Sequence, residues 1–305
     1  MTDFSTLAGR PTKITARGFG WTHAGRTQPA LADIDLVIEP GERVLLCGDS
    51  GSGKSTFLAA VAGVLGSDEE GIRAGEILLE DSTGAVEEPG HSIPVGLVLQ
   101  DPDSQVISAR VGDDIAFGCE NLAYPREEIW RRVAAAKDLV GPFVDMDFPT
   151  ERLSGGQKQR LALAGVIAMG AGVVLLDEPT ANLDPAGARD VVRAVSALVE
   201  ETGATLVVVE HQHSAWEGLL DRAVELAQGR IVADGPFEQV AMRRRVEGLP
   251  QARELSDGVA REGDAALWSK DLVTRFGPPR TISLPAGAST VITGPNGAGK
   301  STWLM

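Results

Sequence analysis

Cysteine and long apolar runs are both scarce in this chain, and each absence excludes a class of protein. Only two of the 305 residues are cysteine, Cys47 and Cys119, and they form neither a disulfide framework nor a metal-ligand pattern. The apolar stretch at residues 161–176 falls short of the roughly twenty residues that span a bilayer, and Gly170 and Gly172 interrupt it. We therefore expect a protein of a reducing compartment, in which this stretch is a buried helix followed by a buried strand.

Basic residues are also few relative to acidic ones. Lys and Arg total 28 against 43 Asp and Glu, which gives a formal net charge of −15. An acidic surface repels the phosphate backbone of nucleic acids, so we expect no nucleic-acid partner. The short basic cluster at residues 243–245 is interpreted as a solvated helix face. The first 13 residues lack the apolar core of a secretory signal.

A glycine-rich loop organises the chain. It follows the apolar run 44–47, precedes the helix-like residues 57–62, and consists of Gly48, Asp49, Ser50, Gly51, Ser52, Gly53, Lys54, Ser55 and Thr56. This is the order strand, G-x-x-x-x-G-K-[ST], helix. The glycines let successive backbone N–H groups face one point, where the helix presents its positive end. We predict a phosphate site in which Lys54 reaches the terminal phosphates and Ser55 holds Mg²⁺. The alternative is a glycine turn with a solvated lysine.

Continuous apolar runs later in the chain predict the core of an α/β domain. Residues 173–176 and 206–209 contain only Val and Leu, which is typical of strands buried on both faces of a parallel sheet. Residues 186–201 between them have the spacing of an amphipathic helix. Residues 12–41 are rich in β-strand pattern, and residues at about 101–166 have helical spacing. We therefore predict a parallel-sheet core with an N-terminal β part and a helical insertion.

The beginning of the chain recurs near its end. A second loop of the same pattern contains Gly294, Gly297, Gly299, Lys300, Ser301 and Thr302. A repeat at this distance indicates a duplicated domain. We predict a first domain at 1–241, a linker at 242–265 and the truncated N-terminal part of a second domain at 266–305. That part is too short to bury a core alone.

Two acids end the predicted strand at residues 173–176. A carboxylate at a strand tip beside a phosphate loop is the usual second tether for Mg²⁺, and we assign this role to Asp177. Glu178 could accept a proton from an attacking water. The alternative, two acids in a surface turn, is disfavoured because four apolar residues precede them.

The segment Leu153-Ser154-Gly155-Gly156-Gln157-Lys158-Gln159-Arg160 is decisive for the interpretation. As bare chemistry it is a capped helix start with free N–H groups for an anion. Its place between Gln100 and Asp177, however, resembles the ATP-binding cassette (ABC) family, and the resemblance covers about residues 12–240. It implies an α/β P-loop NTPase fold with an antiparallel N-terminal β part, and ATP hydrolysis with Mg²⁺.

The resemblance also implies roles for single residues. Trp21, which by position alone is equally a packing residue or a ring platform, resembles the aromatic that stacks on adenine. Gln100 resembles the glutamine that senses Mg²⁺ and water, Glu178 the catalytic base, and His211 the switch histidine that contacts the γ-phosphate. Asp184 resembles the aspartate of the loop that crosses between the two domains. A further four residues resemble the family's signature motif, which closes on nucleotide held by another domain: Ser154, Gly155, Gly156 and Gln157.

Residues 100–105 and 112–122 resemble the ATPase components of energy-coupling factor importers, which take up vitamins or transition-metal ions. Cys119 stands where that family often has proline. The resemblance implies a transmembrane coupling subunit that meets the insertion, a substrate-binding membrane subunit, and a second ABC domain in cis or in trans. It also implies a cytoplasmic, peripheral location on the inner membrane face. Two alternatives are a soluble cassette ATPase acting on ribosomes or nucleic acid, and a truncated chain that binds nucleotide without turnover.

Overall fold

The computed structural model describes residues 7, 9–66, 70–141, 144–181, 183–211, 213–241, 265–272 and 280–285. The chain divides into two units, residues 1–183 with 187–244, and residues 184–186 with 245–305. Up to residue 241 the elements are, in chain order, β1 (Lys13–His23), β2 (Leu31–Ile38), β3 (Arg43–Gly48), α1 (Lys54–Val61), β4 (Gly71–Glu80), β5 (Val86–Glu87), β6 (Val95–Val98), α2 (Val111–Asn121), α3 (Arg126–Leu139), α4 (Gly155–Met169), β7 (Val173–Asp177), α5 (Pro185–Thr202), β8 (Thr205–Val209), β9 (Arg222–Ala227) and β10 (Arg230–Pro236). Short 3₁₀-helices lie at Pro102–Gln105, Thr150–Arg152 and His213–Trp216.

Two sheets carry the first unit. A six-stranded sheet has the order β10-β9-β3-β8-β7-β6, with parallel pairing throughout except between β9 and β10. A four-stranded sheet has the order β2-β1-β4-β5 and is antiparallel. The predicted α/β fold, with a parallel core and an antiparallel N-terminal part, is confirmed.

The central parallel strands are buried on both faces, as their composition predicts. Along β7, Val174 and Leu176 belong to the core that contains α2 to α5, whereas Val173 and Leu175 belong to the core that contains α1 and the antiparallel sheet. β8 alternates in the same way, because successive side chains of a strand point to opposite faces. A strand between two apolar layers has no face that needs polar residues.

The apolar stretch at residues 161–176 is a buried helix followed by a buried strand, which confirms its interpretation. α4 ends at Gly170, whose φ of 73° is the left-handed conformation that commonly stops a helix, and β7 follows. Among the helices in the described parts of the chain, none has the length and apolarity that a membrane crossing requires.

The predicted insertion is built on α4. Helices α2 and α3 both pack against α4, and the backbone at residues 110–112 pairs with residues 146–149. α4 extends to Met169 and also packs on β6, where a Cβ added to Gly96 would lie 2.2 Å from Val166. The last helix of the insertion therefore belongs to the sheet core as well.

The second unit contains an antiparallel hairpin. It consists of β11 (Ala265–Leu272) and β12 (Arg280–Pro285), with Trp268 opposite Ser283. The predicted linker at 242–265 lies outside the described residues except for Ala265, which begins β11. The second glycine loop, residues 294–302, also lies outside them. The start of a second domain copy and the domain boundaries therefore stay predictions.

Candidate functional site

The phosphate loop leaves the carboxyl end of β3 and enters α1, as the sequence predicts. Gly48 and Gly53 have φ values of 145° and 105°, conformations that favour glycine. A Cβ at Gly48 would lie 2.2 Å from the Leu226 carbonyl oxygen, and one at Gly53 would lie 2.6 Å from the Ala30 carbonyl oxygen. Only glycine fits these two positions, so the curl of the loop is specified by its neighbours as well as by its own sequence.

The interior of this loop has the groups that an anion requires. Lys54 is only 6% exposed, and its Nζ donates to the carbonyl oxygens of Gly48 and Asp49, each at 2.9 Å. The Ser52 hydroxyl is buried without a hydrogen-bond partner among the described residues. An unsatisfied buried hydroxyl costs free energy, and a buried charge is stabilised by a partner of opposite charge; a bound phosphate would supply an acceptor for Ser52 and an anion for Lys54.

Asp177 lies at the end of β7 beside this loop. Burial raises the pKa of its carboxyl above the ordinary value of 3.8, while a hydrogen bond from the Ser55 hydroxyl and the charge of Lys54 act in the opposite direction. The structure thus brings together Ser55 and Asp177, two of the three residues predicted to act on Mg²⁺, the third being Gln100. A hydroxyl and a carboxylate are hard oxygen donors, the type that Mg²⁺ prefers, and the donor set fits that ion.

Glu178 lies at the centre of a three-residue cluster. Its Oε2 accepts a hydrogen bond from Gln100 Nε2 at 3.0 Å, and its Oε1 lies 2.9 Å from His211 Nε2. Its backbone N–H donates to the Val209 carbonyl oxygen at 2.9 Å. Residues 78 and 33 positions away in the chain meet here because β6, β7 and β8 are adjacent parallel strands whose carboxyl ends share one edge.

The backbone at Glu178 is also unusual. Its φ of 49° is in the left-handed region, which is uncommon for a residue other than glycine. Such conformations cost about 1–3 kcal/mol each and persist where the surroundings impose them. This strained turn aims the carboxylate at Gln100 and His211.

The sequence interpretation missed Glu210. This residue is 4% exposed and accepts hydrogen bonds from Thr180 N at 3.1 Å, from the Thr180 hydroxyl, and from His211 N at 3.1 Å. It thereby joins the turn after Glu178 to the turn that carries His211. The detectable signal was an acid directly after the apolar run 206–209.

The signature segment forms the first turn of α4. Ser154 is the N-cap: its Oγ accepts from Gln157 N at 3.4 Å, and Gln157 Oε1 accepts from Ser154 N at 2.9 Å, a capping box. A Cβ added at Gly155 would meet only Leu183 Cδ2, at 3.9 Å, and one at Gly156 would meet the same atom at 3.7 Å and Gly187 Cα at 3.9 Å. Among the described residues of this unit, therefore, no steric contact requires glycine at either position.

Trp21 does not present an open ring face. It is 3% exposed and packs in the core of the antiparallel sheet, and its Nε1 donates to His23 Nδ1 at 3.1 Å. A Cβ added at Gly71 would lie 2.2 Å from the indole ring, so β4 covers it closely. In this structure the indole is therefore packed in the core, which is one of the two alternatives that its position left open. Adenine stacking on Trp21 stays a prediction.

The remaining predicted site residues have less structural context. Asp184 immediately precedes α5. The predicted site residues of the second glycine loop lie outside the described part of the chain: Gly294, Gly297, Gly299, Lys300, Ser301 and Thr302. Asp184 as part of a crossing loop, and these residues as a second phosphate site, stay predictions.

A phosphate loop, a strand-tip acid pair and a capped glycine signature on an α/β sheet define a P-loop nucleotide-binding protein. A family model described as ABC transporter matches residues 31–181. A putative ABC transporter ATP-binding protein of Methanosarcina acetivorans is 39% identical over 289 residues, which cover 90% of this chain and 45% of that protein. This chain thus spans less than half the length of that relative.

Two further similarities are more specific. The energy-coupling factor transporter ATP-binding protein EcfA1 of Caldanaerobacter subterraneus subsp. tengcongensis is 37% identical over 245 residues, which cover 78% of this chain and 86% of that protein. The solved structure of cbiO1 from Clostridium perfringens, described as part of the ABC transporter complex cbiONQ, matches with a TM-score of 0.65 and 31% identity over 78% of this chain and 93% of that chain. The chain belongs to the ABC transporter family and is similar to its ATP-binding components.

Proposed function

We propose that this chain binds and hydrolyses ATP and so powers a membrane importer of the energy-coupling factor type, for a vitamin or a metal ion. The observation that carries the proposal is the Glu178 carboxylate, which is held by Gln100 and His211 at the strand edge beside the phosphate loop. The similarity to EcfA1 and to cbiO1 supports the importer class.

The phosphate loop would bind the triphosphate. Lys54 Nζ donates to two loop carbonyls and would exchange them for phosphate oxygens, which are stronger acceptors. The N-terminus of α1 adds the partial positive charge of its free N–H groups. The loop therefore stabilises the charge that develops when the terminal phosphoryl group leaves.

Mg²⁺ would be held by the Ser55 hydroxyl and the Asp177 carboxylate, with Gln100 close to Glu178. When bound, the ion neutralises charge on the β- and γ-phosphate oxygens. Within the described ranges, no group of three or more His, Cys, Asp or Glu side chains could hold a metal. A site with one or two protein ligands that relies on substrate phosphates fits Mg²⁺.

Glu178 would take the proton of the attacking water. A general base must have its acceptor oxygen aimed at the proton. Here Gln100 holds Oε2, His211 lies against Oε1, and Glu210 holds the turns on either side. His211 would in addition reach the γ-phosphate from the same strand edge.

The nucleotide would need a second cassette for turnover. Gly155 and Gly156 have no steric reason within this unit to be glycine, which suits the close approach of a phosphate bound elsewhere. The facing cassette would come from the same longer protein or from another chain, with Asp184 in the loop that crosses between them. The length of the Methanosarcina relative favours the first arrangement.

The membrane partners would be a transmembrane coupling subunit and a substrate-binding subunit, and no nucleic acid would be involved. The insertion carries exposed apolar side chains that a coupling subunit could cover, namely Ile107, Phe117, Leu122 and Trp130. The chain would then lie peripherally on the cytoplasmic face of the membrane, where washing with high salt releases it.

The test is the Glu178→Gln substitution in the full protein assembled with its membrane partners. We expect Mg²⁺-dependent phosphate release to fall about 10²- to 10⁴-fold, the usual contribution of a general base, with ATP binding retained. Glu201→Gln, at an exposed position near the end of α5, serves as the control and should leave turnover unchanged. Equal turnover of the Glu178 variant and the parent would contradict the assigned base.

A further inference from the structure

The segment that carries Gln100 and the helix that carries the signature are joined by side chains to which the proposed mechanism gives no role. Gln159 lies on the second turn of α4 and is 2% exposed. Its Nε2 donates to the Leu99 carbonyl oxygen at 3.2 Å, one residue before Gln100. Lys158 forms an ion pair with Asp103, in the 3₁₀-helix that follows Gln100. Two adjacent residues of α4 thus contact the chain before and after Gln100.

Leu99 is held by a second side chain as well. Its N–H donates to Gln105 Oε1 at 2.9 Å, and its carbonyl oxygen accepts from Gln105 Nε2 at 3.1 Å. The Leu99 carbonyl therefore accepts from two side-chain amides, one on its own segment and one on α4. The Gln105 contacts close residues 99–105 into a turn, and the Gln159 contact attaches that turn to the helix.

Stability alone does not account for a glutamine at position 159. Its Oε1 is buried without a hydrogen-bond partner among the described residues, and an unsatisfied buried acceptor is destabilising. A methionine of similar length would fill the same space without that cost. The Gln159 amide is therefore buried at a cost in stability, and its hydrogen bond goes to the backbone beside Gln100. This combination indicates a functional constraint on the residue.

We propose that Gln159, assisted by Lys158, is a positioning residue that couples the two nucleotide sites. In the proposed function, the first turn of α4 contacts the nucleotide of the facing cassette, whereas Gln100 holds Glu178 at the nucleotide of this cassette. Because α4 and the Gln100 segment move together, closure of the signature on one nucleotide sets Gln100, and through it Glu178, at the other. The inference rests on the proposed function and deepens it.

The first test is a double-mutant cycle of Gln159→Met and Gln100→Ala in the full protein with its membrane partners. We expect Gln159→Met to lower kcat about three- to tenfold, the effect of one hydrogen bond, with KM for ATP unchanged and a Hill coefficient closer to one. In the Gln100→Ala background the same substitution should cause no further loss, because both act through one contact. Thermal stability should stay equal or rise.

Additive effects in the cycle, or a loss of kcat that follows a lower Tm, would show a merely structural role and overturn the proposal. Lys158→Met provides a second variant that leaves the core packing of Gln159 intact, and it should change kcat and the Hill coefficient in the same direction. Arg193→Met, which removes the exposed pair with Asp190 on α5, is its matched control and should change neither.

Hydrogen–deuterium exchange tests the attachment without relying on turnover. Gln159→Met should speed exchange at residues 99–105 and leave β7 unchanged. Unchanged exchange at 99–105 would overturn the attachment. A parent protein that bound ATP but released no phosphate would contradict the proposed function, while the exchange result would still decide whether Gln159 holds the segment.

Discussion

The phosphate-loop edge of the sheet and the signature end of α4 differ in whether groups from separate elements of the fold converge there. At the loop edge, Glu178 is held by Gln100 and His211, and Lys54 is held by two carbonyls. At the signature end, the side-chain hydrogen bonds of Ser154 to described residues stay within the first turn of α4, and a Cβ added at either following glycine would meet no described atom closer than 3.7 Å. The first region is assembled by the fold, whereas the second presents groups outward.

Under the proposed function, this difference would explain why one cassette supplies only half of each reaction site. Parallel strands bring their carboxyl ends together, so side chains from β6, β7 and β8 form a cluster without help. A helix N-terminus has free N–H groups but no convergent side chains, and it acts only on a charge that another surface supplies. Substitutions at the two regions should therefore fail in different ways.

Of the three substitutions that probe this comparison, Gly156→Asp at the signature end is expected to have the largest effect. An acid in the first turn of a helix is tolerated or slightly stabilising, and a Cβ added at Gly156 meets no atom of the described residues closer than 3.7 Å. The same charge would repel a phosphate of the facing nucleotide. We expect turnover to fall about 10²- to 10³-fold, the value of a lost oxyanion donor, while the free energy of unfolding and ATP binding to the loop stay unchanged.

The control for this substitution is Gly165→Asp on the same helix, where an added Cβ meets nothing within 4 Å. Turnover and unfolding are measured side by side for both variants. If Gly156→Asp hydrolysed ATP as fast as Gly165→Asp, the two regions would not divide the reaction as described.

A smaller effect is expected for Lys54→Ala at the loop edge, and it should appear in ATP binding, which Gly156→Asp leaves unchanged. Loss of a hydrogen bond to a charged group should weaken Mg-ATP binding about 10- to 100-fold, because that is the usual range for such bonds. Calorimetry on the purified protein measures the affinity, with Lys137→Ala, on α3, as the control. Equal retention of Mg-ATP by the Lys54 variant would remove the basis of the phosphate site.

The smallest effect is expected at Asp81, which belongs to neither region. Its carboxylate accepts bonds from the Thr83 hydroxyl, from the N–H groups of Thr83 and Ala85, and from Arg10, which lower its pKa from 3.8 to about 2. Since the folded-state pKa is the lower one, this stabilisation is complete above the unfolded pKa and is lost as the pH falls towards 2.

Asp81→Asn should accordingly unfold more easily than the parent at pH 7, and the difference should shrink as the pH falls below about 4, where the unfolded-state carboxyl protonates. Denaturant titrations at both pH values measure it, and turnover at pH 7 should not change. A stability difference that stayed constant with pH would exclude the depressed pKa as its source.

Much of the fold could be predicted from local pattern. The runs at 173–176 and 206–209 are uniformly apolar because both faces of those strands are covered, and the hairpin at 222–236 turns at Gln228 and Gly229, both with positive φ. The roles of Glu210 and Gln159 could not be predicted in this way. Each acts through a bond to a residue 30 or more positions away, and no local spacing encodes such a partner.

The surroundings of Trp21 also depend on distant residues. Its position in the sequence left packing and a ring platform equally open, because exposure depends on which strand lies over the ring, and β4 covers the indole at Gly71. Residue type alone does not distinguish a ring that is buried from one that is presented to a ligand.

By itself, the sequence determined the phosphate loop, the central strands and the capped start of α4, because glycine conformation, apolar runs and N-cap chemistry act over a few neighbouring residues. Only the tertiary structure decided that Gln100, Glu178 and His211 meet, that Glu210 joins their turns, and that Gln159 holds the segment beside Gln100. The physical reason is that these contacts depend on the order of strands in the sheet and on the packing of α4 against it, which are properties of the whole folded chain.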